Sequence, residues 1–357
     1  MKQILKNLYF HCGLLTRPLF GGIGHILMLH RVSPPENRPR LNANLGMEIT
    51  PNELENIIGF FARRGYEFIS LDQLVERLQA NIHKRKFVVF TFDDGYADNL
   101  LQAYPVFKRH SIPFTIYIAT SYPDRQAVLW WYILEELLLE RDEIHLPAVP
   151  AVPTIPTVPT GAAGQTGQTF RCSTPEEKES VFFHVRSMIM QASAEEYHET
   201  VNAIFEPFGL DLYRDTAALT LSWGQIKQLS QDPLVTIGGH TVNHYALSKL
   251  HAEEALTEMR ESKQIIENHI QEEVRHFAFP FGGRDEAGAR EFALVKEAGY
   301  TTGVTTRFAN IFPGHKHHIE SLPRVFVPRG SDEVFFKQVT SGTLPGLANR
   351  FKRLVTV

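Results

Sequence analysis

Along the first third of the chain, short apolar runs alternate with stretches whose apolar residues recur at helical spacing. His25-Ile26-Leu27-Met28-Leu29-His30 reads as a buried strand ending at a histidine. Thr50-Pro51-Asn52-Glu53 supplies an N-cap, a proline at the first helical position and a capping-box glutamate, opening a helix through Ile57, Ile58 and Phe61 towards Gly65. Ser70 and Gln73 repeat the signal ahead of Leu74, Val75 and Leu78. Lys86-Phe87-Val88-Val89-Phe90 is a second strand pattern, residues 97–110 a helix carrying Pro105, and Phe114 to Ala119 a third strand. Strands alternating with helices on this scale predict parallel β/α architecture.

The middle of the chain breaks that rhythm. Residues 129–141, with Trp130, Trp131 and Tyr132, read as a strongly apolar helix. Prolines then recur at 147, 150, 153, 156 and 159, the three-residue period of polyproline II, and lead into a Gly/Thr/Gln-rich stretch over 161–169. A low-complexity surface insertion is the favoured reading, an SH3-type ligand the other. Helical patterns resume over 176–208. The β/α rhythm returns with a capping box at Ser222 and Gln225, and strand patterns follow at 234–238, 277–281, 303–305 and 323–327, separated by helices near 248–270 and 285–298. Seven strand candidates result. The expected organisation is an apolar helical segment at 1–24, a barrel in two parts at 25–120 and 221–335, a helical insertion at 121–220 with a Pro-rich linker at 147–169, and a tail at 336–357.

Composition narrows the function classes. The chain has 357 residues and a formal net charge of −4, with no basic block of the kind that binds nucleic acid. Its two cysteines, Cys12 and Cys172, form no disulfide framework, in keeping with a reducing compartment. Residues 1–29 are apolar but interrupted by Lys6, Asn7, His11 and Arg17, too broken for a spanning helix and without a signal-peptide cleavage pattern. The expectation is a cytoplasmic protein whose N-terminal helix docks on its own body. A peripheral contact with the inner membrane through residues 1–20 is the alternative.

The candidate chemistry gathers at predicted strand ends. Asp93-Asp94-Gly95 ends the second strand, His240-Thr241-Val242-Asn243-His244 follows the fourth, Pro280-Phe281-Gly282 the fifth, and Arg324 lies in the last. In β/α barrels the C-terminal strand ends form the functional face. Histidines four apart face one way if the segment makes a helical turn. One Asp with two His and an open position suits a catalytic divalent metal such as Zn²⁺, leaving the second Asp as a base towards the water that the metal acidifies.

Thr91-Phe92-Asp93-Asp94-Gly95, Gly239-His240-Thr241-Val242-Asn243-His244 and Phe277-Ala278-Phe279-Pro280-Phe281-Gly282 resemble, in order and spacing, the first three motifs of the NodB-type polysaccharide deacetylases, carbohydrate esterases of family four. Met28-Leu29-His30-Arg31-Val32 and Leu322-Pro323-Arg324-Val325 resemble the branch acting on bacterial surface polysaccharides or their precursors. The resemblance covers about residues 25–120 and 220–330. It implies a distorted (β/α)7 barrel and hydrolysis of an N-acetyl group on an amino sugar, within a polysaccharide or a lipid-linked sugar. It further implies Asp94, His240 and His244 as metal ligands, for Zn or alternatively Co, Ni or Mn, and Asp93 as general base. Phe281 stands where the family offers a backbone N–H to the oxyanion, with Gly282 beside it at the substrate. Three departures stand out: Ala278 replaces a motif arginine, the fourth motif has no counterpart near 301–306, and Leu322-Pro323-Arg324 replaces Leu-x-His. Arg324 is thus a candidate substitute for the missing arginine, and His30, His317 or His318 for the missing acid, with His30 preferred. A deformylase or other deacylase on a lipid-linked sugar, and a catalytically inactive sugar-binding protein, are the rival readings.

Overall fold

A computed structural model of the chain describes residues 16–147 and 167–356. The expected N-terminal helix and most of the proline strip lie outside the described residues. Seven parallel strands close into a barrel: β1 (Gly24–Leu29), β2 (Phe87–Phe92), β3 (Phe114–Ile118), β4 (Val235–Gly239), β5 (His276–Ala278), β6 (Thr302–Phe308) and β7 (Leu322–Phe326). They pair in chain order, with Ile26 opposite Val89, Phe90 opposite Phe114, Ile116 opposite Ile237 and Phe277 opposite both Gly239 and Gly303. Leu27 opposite Val325 closes the ring. Each strand candidate read from the pattern is present. The fifth is shorter than expected, because Pro280 has no N–H for a ladder and Phe281 turns to φ 58°.

The helix starts were legible because capping is local. Thr50 and Glu53, Ser70 and Gln73, and Ser222 and Gln225 all form reciprocal capping boxes. The helix expected over 97–110 is a π-turn at Asn99–Ala103 running into an α-helix at Tyr104–His110. Pro105, which cannot donate an N–H, sits just past the wide turn. The residues read from the sequence as a C-terminal tail are partly helical. They form helices at Glu333–Thr340 and Thr343–Ala348, and Phe336 packs on Phe60 and Phe61 with ring centroids 5.3 and 5.6 Å away.

Ile26, Val89, Tyr117, Ala278, Val304 and Leu322 from the barrel pack with Leu71 and Leu74 of the helix Leu71–Gln79, all fully buried. At the start of β1 the core is polar. His25 Nδ1 donates to Asn310 Oδ1 at 2.8 Å, while Asn310 Nδ2 donates to the carbonyls of Phe20 and Val339 at 3.0 and 2.9 Å. The asparagine's amide orientation is therefore determined, and His25 keeps its proton on Nδ1.

By compactness the chain divides into two units. The barrel unit holds the residues through Pro35, Met47–Arg125 and the chain from Leu219 onwards. The second unit, Glu36–Gly46 with Gln126–Ala218, has its own core of Trp130, Leu134, Leu138, Phe182, Val185 and Phe205 among others. It holds its distant segment through buried Glu135, which accepts from Arg40 Nε and Leu41 N at 2.8 and 2.7 Å and from Asn44 Nδ2 at 2.8 Å. Strands Glu143–Leu146 and Gln168–Arg171, unmarked by the sequence pattern, pair antiparallel with Leu146 opposite Gln168.

Two predictions follow from packing. Replacing residues 147–167 by Asn-Gly, the loop a two-residue hairpin favours, should leave stability within about 1 kcal/mol, because Leu146 and Gln168 are already paired. Removing Leu146 as well should cost more, since it is 1 % exposed; urea unfolding separates the two deletions, and equal losses would refute the account. Burial also pushes the His25 imidazole down to about 3 against the hydrogen bond it donates to Asn310. The unfolded chain takes up this proton as pH falls below about 6.5 and the folded chain does not, so stability is complete above that pH and declines towards the folded value. The fall in unfolding free energy between pH 7 and 5 should shrink by roughly 2 kcal/mol in His25→Gln; an unchanged fall would refute it.

Candidate active site

The acidic pair is placed by an abrupt change of backbone at the end of β2. Asp93 N still donates in register to Leu29 O at 3.0 Å. Asp94 then turns to φ 73° and Gly95 to φ 68°. On a continuing strand the two carboxylates would face opposite sides. The left-handed turn lets both be buried, at 2 % and 5 % exposure. Gly95 is required there, since a Cβ would meet Ile118 Cδ1 at 2.7 Å in addition to the strained φ.

The histidines are brought together by a loop and not by a helical turn. Thr241 (φ 66°) and His244 (φ 58°) are both left-handed, so the four-residue spacing works through a different backbone from the one expected. The loop is tied down on three sides. His240 N donates to Ile118 O at 2.9 Å, His244 N to Thr241 Oγ1 at 2.9 Å, and Glu258 accepts from the N–H groups of Val242 and Asn243 at 2.9 Å each and from Asn243 Nδ2 at 2.6 Å. Glu258 went unnoticed in the sequence. Its signal is a carboxylate on the buried stripe of the helix Ala252–Ile270, between Ala255 and Ser262.

His240 Nε2 and His244 Nε2 lie 3.4 and 3.2 Å from Asp94 Oδ1. Among the described residues these three are the group able to hold a metal ion, one ligand atom from each lying within 4.8 Å of the others. The residues fit one. His240 Nδ1 is 2.7 Å from Ala278 O, and a carbonyl only accepts, so Nδ1 carries the proton and the neutral ring turns its Nε2 lone pair towards a carboxylate. Asp94 Oδ1 is buried and accepts no hydrogen bond. A lone pair facing an anionic oxygen in a buried place calls for a cation or a proton between them. The donor set of two imidazoles and a carboxylate suits a divalent transition metal. Burial raises the Asp94 pKa, but the two histidines outweigh it and hold the carboxyl well below its usual range. Burial likewise lowers that of His240, and the Asp94 and Asp93 carboxylates more than reverse this.

Asp93 points elsewhere. Arg324, fully buried in β7, grips it with Nη1 to Oδ1 at 2.6 Å and Nη2 to Oδ2 at 2.7 Å. The guanidinium also donates from Nε to Thr305 O at 2.9 Å and from Nη1 to Thr91 Oγ1 at 3.2 Å, and lies 5.8 Å from the centroid of the Tyr117 ring. Burial alone would raise the Asp93 pKa; Arg324 lowers it below the ordinary carboxylate value. Tyr117 and Thr305 carried no sequence signal and Thr91 stood only as part of the acidic-pair motif, because what the three share is contact with one guanidinium across the barrel.

His30 joins this group at the end of β1. Its Nδ1 is buried without a hydrogen-bond partner, and its ring meets Phe326 edge-on at 6.4 Å. Its carbonyl accepts from Asn99 Nδ2 at 2.9 Å, and the next residues are held by Asp98, which takes Arg31 Nε at 2.7 Å and Val32 N at 3.2 Å. Burial lowers the His30 pKa, against the pull of the nearby Asp94 and Asp93 carboxylates. Phe281 (φ 58°) and Gly282 (φ 53°) form a strained corner after β5, with the Phe281 ring 4.8 Å from that of His244 and its carbonyl accepting from Thr306 Oγ1 at 2.5 Å. His317 and His318 do not join the site. His317 ends the 3₁₀ turn Pro313–His317, where Lys316 donates to Asn81 beside the helix Leu71–Gln79, and His318, just after it, lies 3.9 Å from Glu320. The turn is not a solvated loop throughout, since His315 is fully buried and pushed by desolvation down to about 4.

Comparison with known proteins agrees with this geometry. No curated protein sequence matches the chain. Among solved structures, the Streptococcus pyogenes deacetylase PplD in complex with acetate superposes with a TM-score of 0.55 at 17% identity, over 88% of this chain and 97% of that one. A polysaccharide deacetylase from Bacillus cereus (TM-score 0.52, 14% identity, 89% and 68%) and IcaB from Ammonifex degensii (0.52, 16%, 89% and 96%) share the fold. The family model described as polysaccharide deacetylase matches residues 80–146 and 176–303, more than half of the chain, and includes both the acidic pair and the two histidines. The chain belongs to the polysaccharide deacetylase family.

Proposed function

We propose that this protein is a metal-dependent hydrolase that removes an N-acetyl group from an amino sugar of a bacterial surface polysaccharide or its lipid-linked precursor. The observation that carries the reading is the divided acidic pair: Asp94 faces two imidazoles, while adjacent Asp93 is gripped by Arg324 and kept ionised. A divalent cation held by Asp94, His240 and His244 would polarise the acyl carbonyl and acidify the attacking water.

The protein's own groups carry the proton traffic. Asp93, an anion by virtue of Arg324, accepts the proton of the water as its oxygen adds to the acyl carbon. The backbone N–H of Phe281 is assigned to the developing oxyanion. His30 is assigned to the nitrogen as the C–N bond breaks, because an amine leaves only when protonated. Membership of the family supports the reaction class; the sugar and the acyl group follow from the resemblance of the motifs.

Asp94→Ala should lose both bound metal and acetate release from N-acetylated sugar substrates. Asp93→Asn keeps the shape but cannot take the proton; it should retain the metal and turn over roughly two to four orders of magnitude more slowly. Metal analysis beside an acetate assay decides this, with melting curves confirming that the variants fold, and a metal-free or fully active Asp93→Asn would overturn the division of roles. Release of formate in place of acetate would correct the acyl group, and no release from any acyl sugar would favour a binding protein.

His30→Gln should retain the metal and slow amide hydrolysis by about two orders of magnitude. On an aryl acetate, whose phenolate leaves without a proton, the same variant should lose far less. Equal losses on both substrates would remove His30 from the acid role.

A further inference from the structure

Both ends of the chain lack acidic residues and carry cations. Residues 1–35 contain no Asp or Glu but include Lys2, Lys6 and Arg17, and residues 334–357 contain none but include Lys337, Arg350, Lys352 and Arg353. The protein as a whole is acidic, at −4. The fold brings these stretches together. Thr16 Oγ1 lies 3.0 Å from Thr343 Oγ1, the rings of Phe20 and Phe351 meet edge-on at 5.3 Å, and the Arg353 guanidinium lies 5.8 Å from the centroid of the Phe20 ring.

The joined surface is amphipathic. Leu19, Leu347, Phe351 and Leu354 are 49 %, 54 %, 50 % and 43 % exposed, large apolar side chains that folding has left in water. Arg17, Arg350, Lys352 and Arg353 are exposed among them. The backbone goes out of its way to present the group, since Arg350 (φ 49°) and Phe351 (φ 60°) are consecutive left-handed residues without a glycine.

We propose that this face docks on an anionic lipid bilayer. A bilayer surface takes both parts at once: the apolar side chains enter the headgroup boundary, and the cations meet anionic lipid. A second copy of the chain would set like charges against each other, and a nucleic acid would have no use for four exposed apolar side chains. The face adjoins the chain's entry to β1, at the opposite strand ends from Asp93 and Asp94, so docking leaves the candidate site open to substrate.

Co-sedimentation of the full-length protein with vesicles tests this. Binding to phosphatidylglycerol/phosphatidylcholine vesicles should be at least tenfold tighter than to phosphatidylcholine alone and should weaken with salt. Arg350→Glu/Lys352→Glu should weaken it at least tenfold, and Leu19→Gln/Leu347→Gln should remove the part that survives high salt, with melting curves like that of the wild type. Indifference to phosphatidylglycerol, or wild-type binding by the charge-reversed variant, would overturn the proposal. So would retention of binding by both variants together with its loss on deletion of residues 2–14, which would assign attachment to the N-terminal segment alone. Concentration-dependent dimerisation abolished by the same substitutions would make the face a self-interface and equally overturn it.

Discussion

A fully buried arginine paired with a buried aspartate is the interaction on which the barrel and its candidate site both depend. Arg324 lies inside the protein with no exposed surface, a position tolerable only because Asp93 takes two of its donors and Thr305 O and Thr91 Oγ1 take others. The pair spans from β7 to β2, passing over β1, and so links strands that are not neighbours in the ring. Removing one partner would leave the other charge buried alone, at a cost of about 3–5 kcal/mol. The same geometry sets the chemistry. With Asp93 turned to Arg324, its neighbour alone faces the histidines.

The second constraint is backbone strain at three strand ends. Asp94, Thr241, His244 and Phe281 are all non-glycine residues at positive φ, each costing on the order of 1–3 kcal/mol. What holds them is local and polar: Glu258 takes the N–H groups of the 240–244 loop, Thr241 caps His244 N, and Thr306 pins Phe281 O. The strands below these corners are mostly buried and apolar, with Thr91, Thr236 and His276 the polar residues among them. These four strained positions stand at the same strand ends as the acidic pair and the two histidines.

His25, His315 and His240 are buried histidines with different neighbours. His25 and His315, away from the acidic pair, are desolvated and stay neutral far below their ordinary pKa, acting as polar fillers. His240 lies beside two carboxylates that raise its pKa despite equal burial. Residue type and burial are alike in these cases, and the difference is the charge of the neighbours.

Much of this was legible along the chain. Seven apolar runs became seven strands, and three capping boxes opened three helices, because strand burial and N-capping are decided within a few residues. The acidic pair and the two histidines stood out for the same reason, each being a short motif at a strand end. The pattern did not reveal the hairpin around the proline strip, whose exposed strand carries no apolar alternation, nor the order in the C-terminal helices. It did not reveal Glu258 either, because an acidic residue on a helix looks solvated until the opposite loop is in place. Arg324 stood out in the sequence as the candidate substitute for the missing arginine, although more than two hundred residues separate it from Asp93. Its two-point grip on Asp93 depended on barrel closure, which places β7 two strands from β2 and removes the water that would otherwise solvate both charges. Sequence specified the elements and the chemical groups, since those depend on near neighbours. Only the tertiary structure decided which charges would share a dry interior, since that depends on residues brought together by the closed ring.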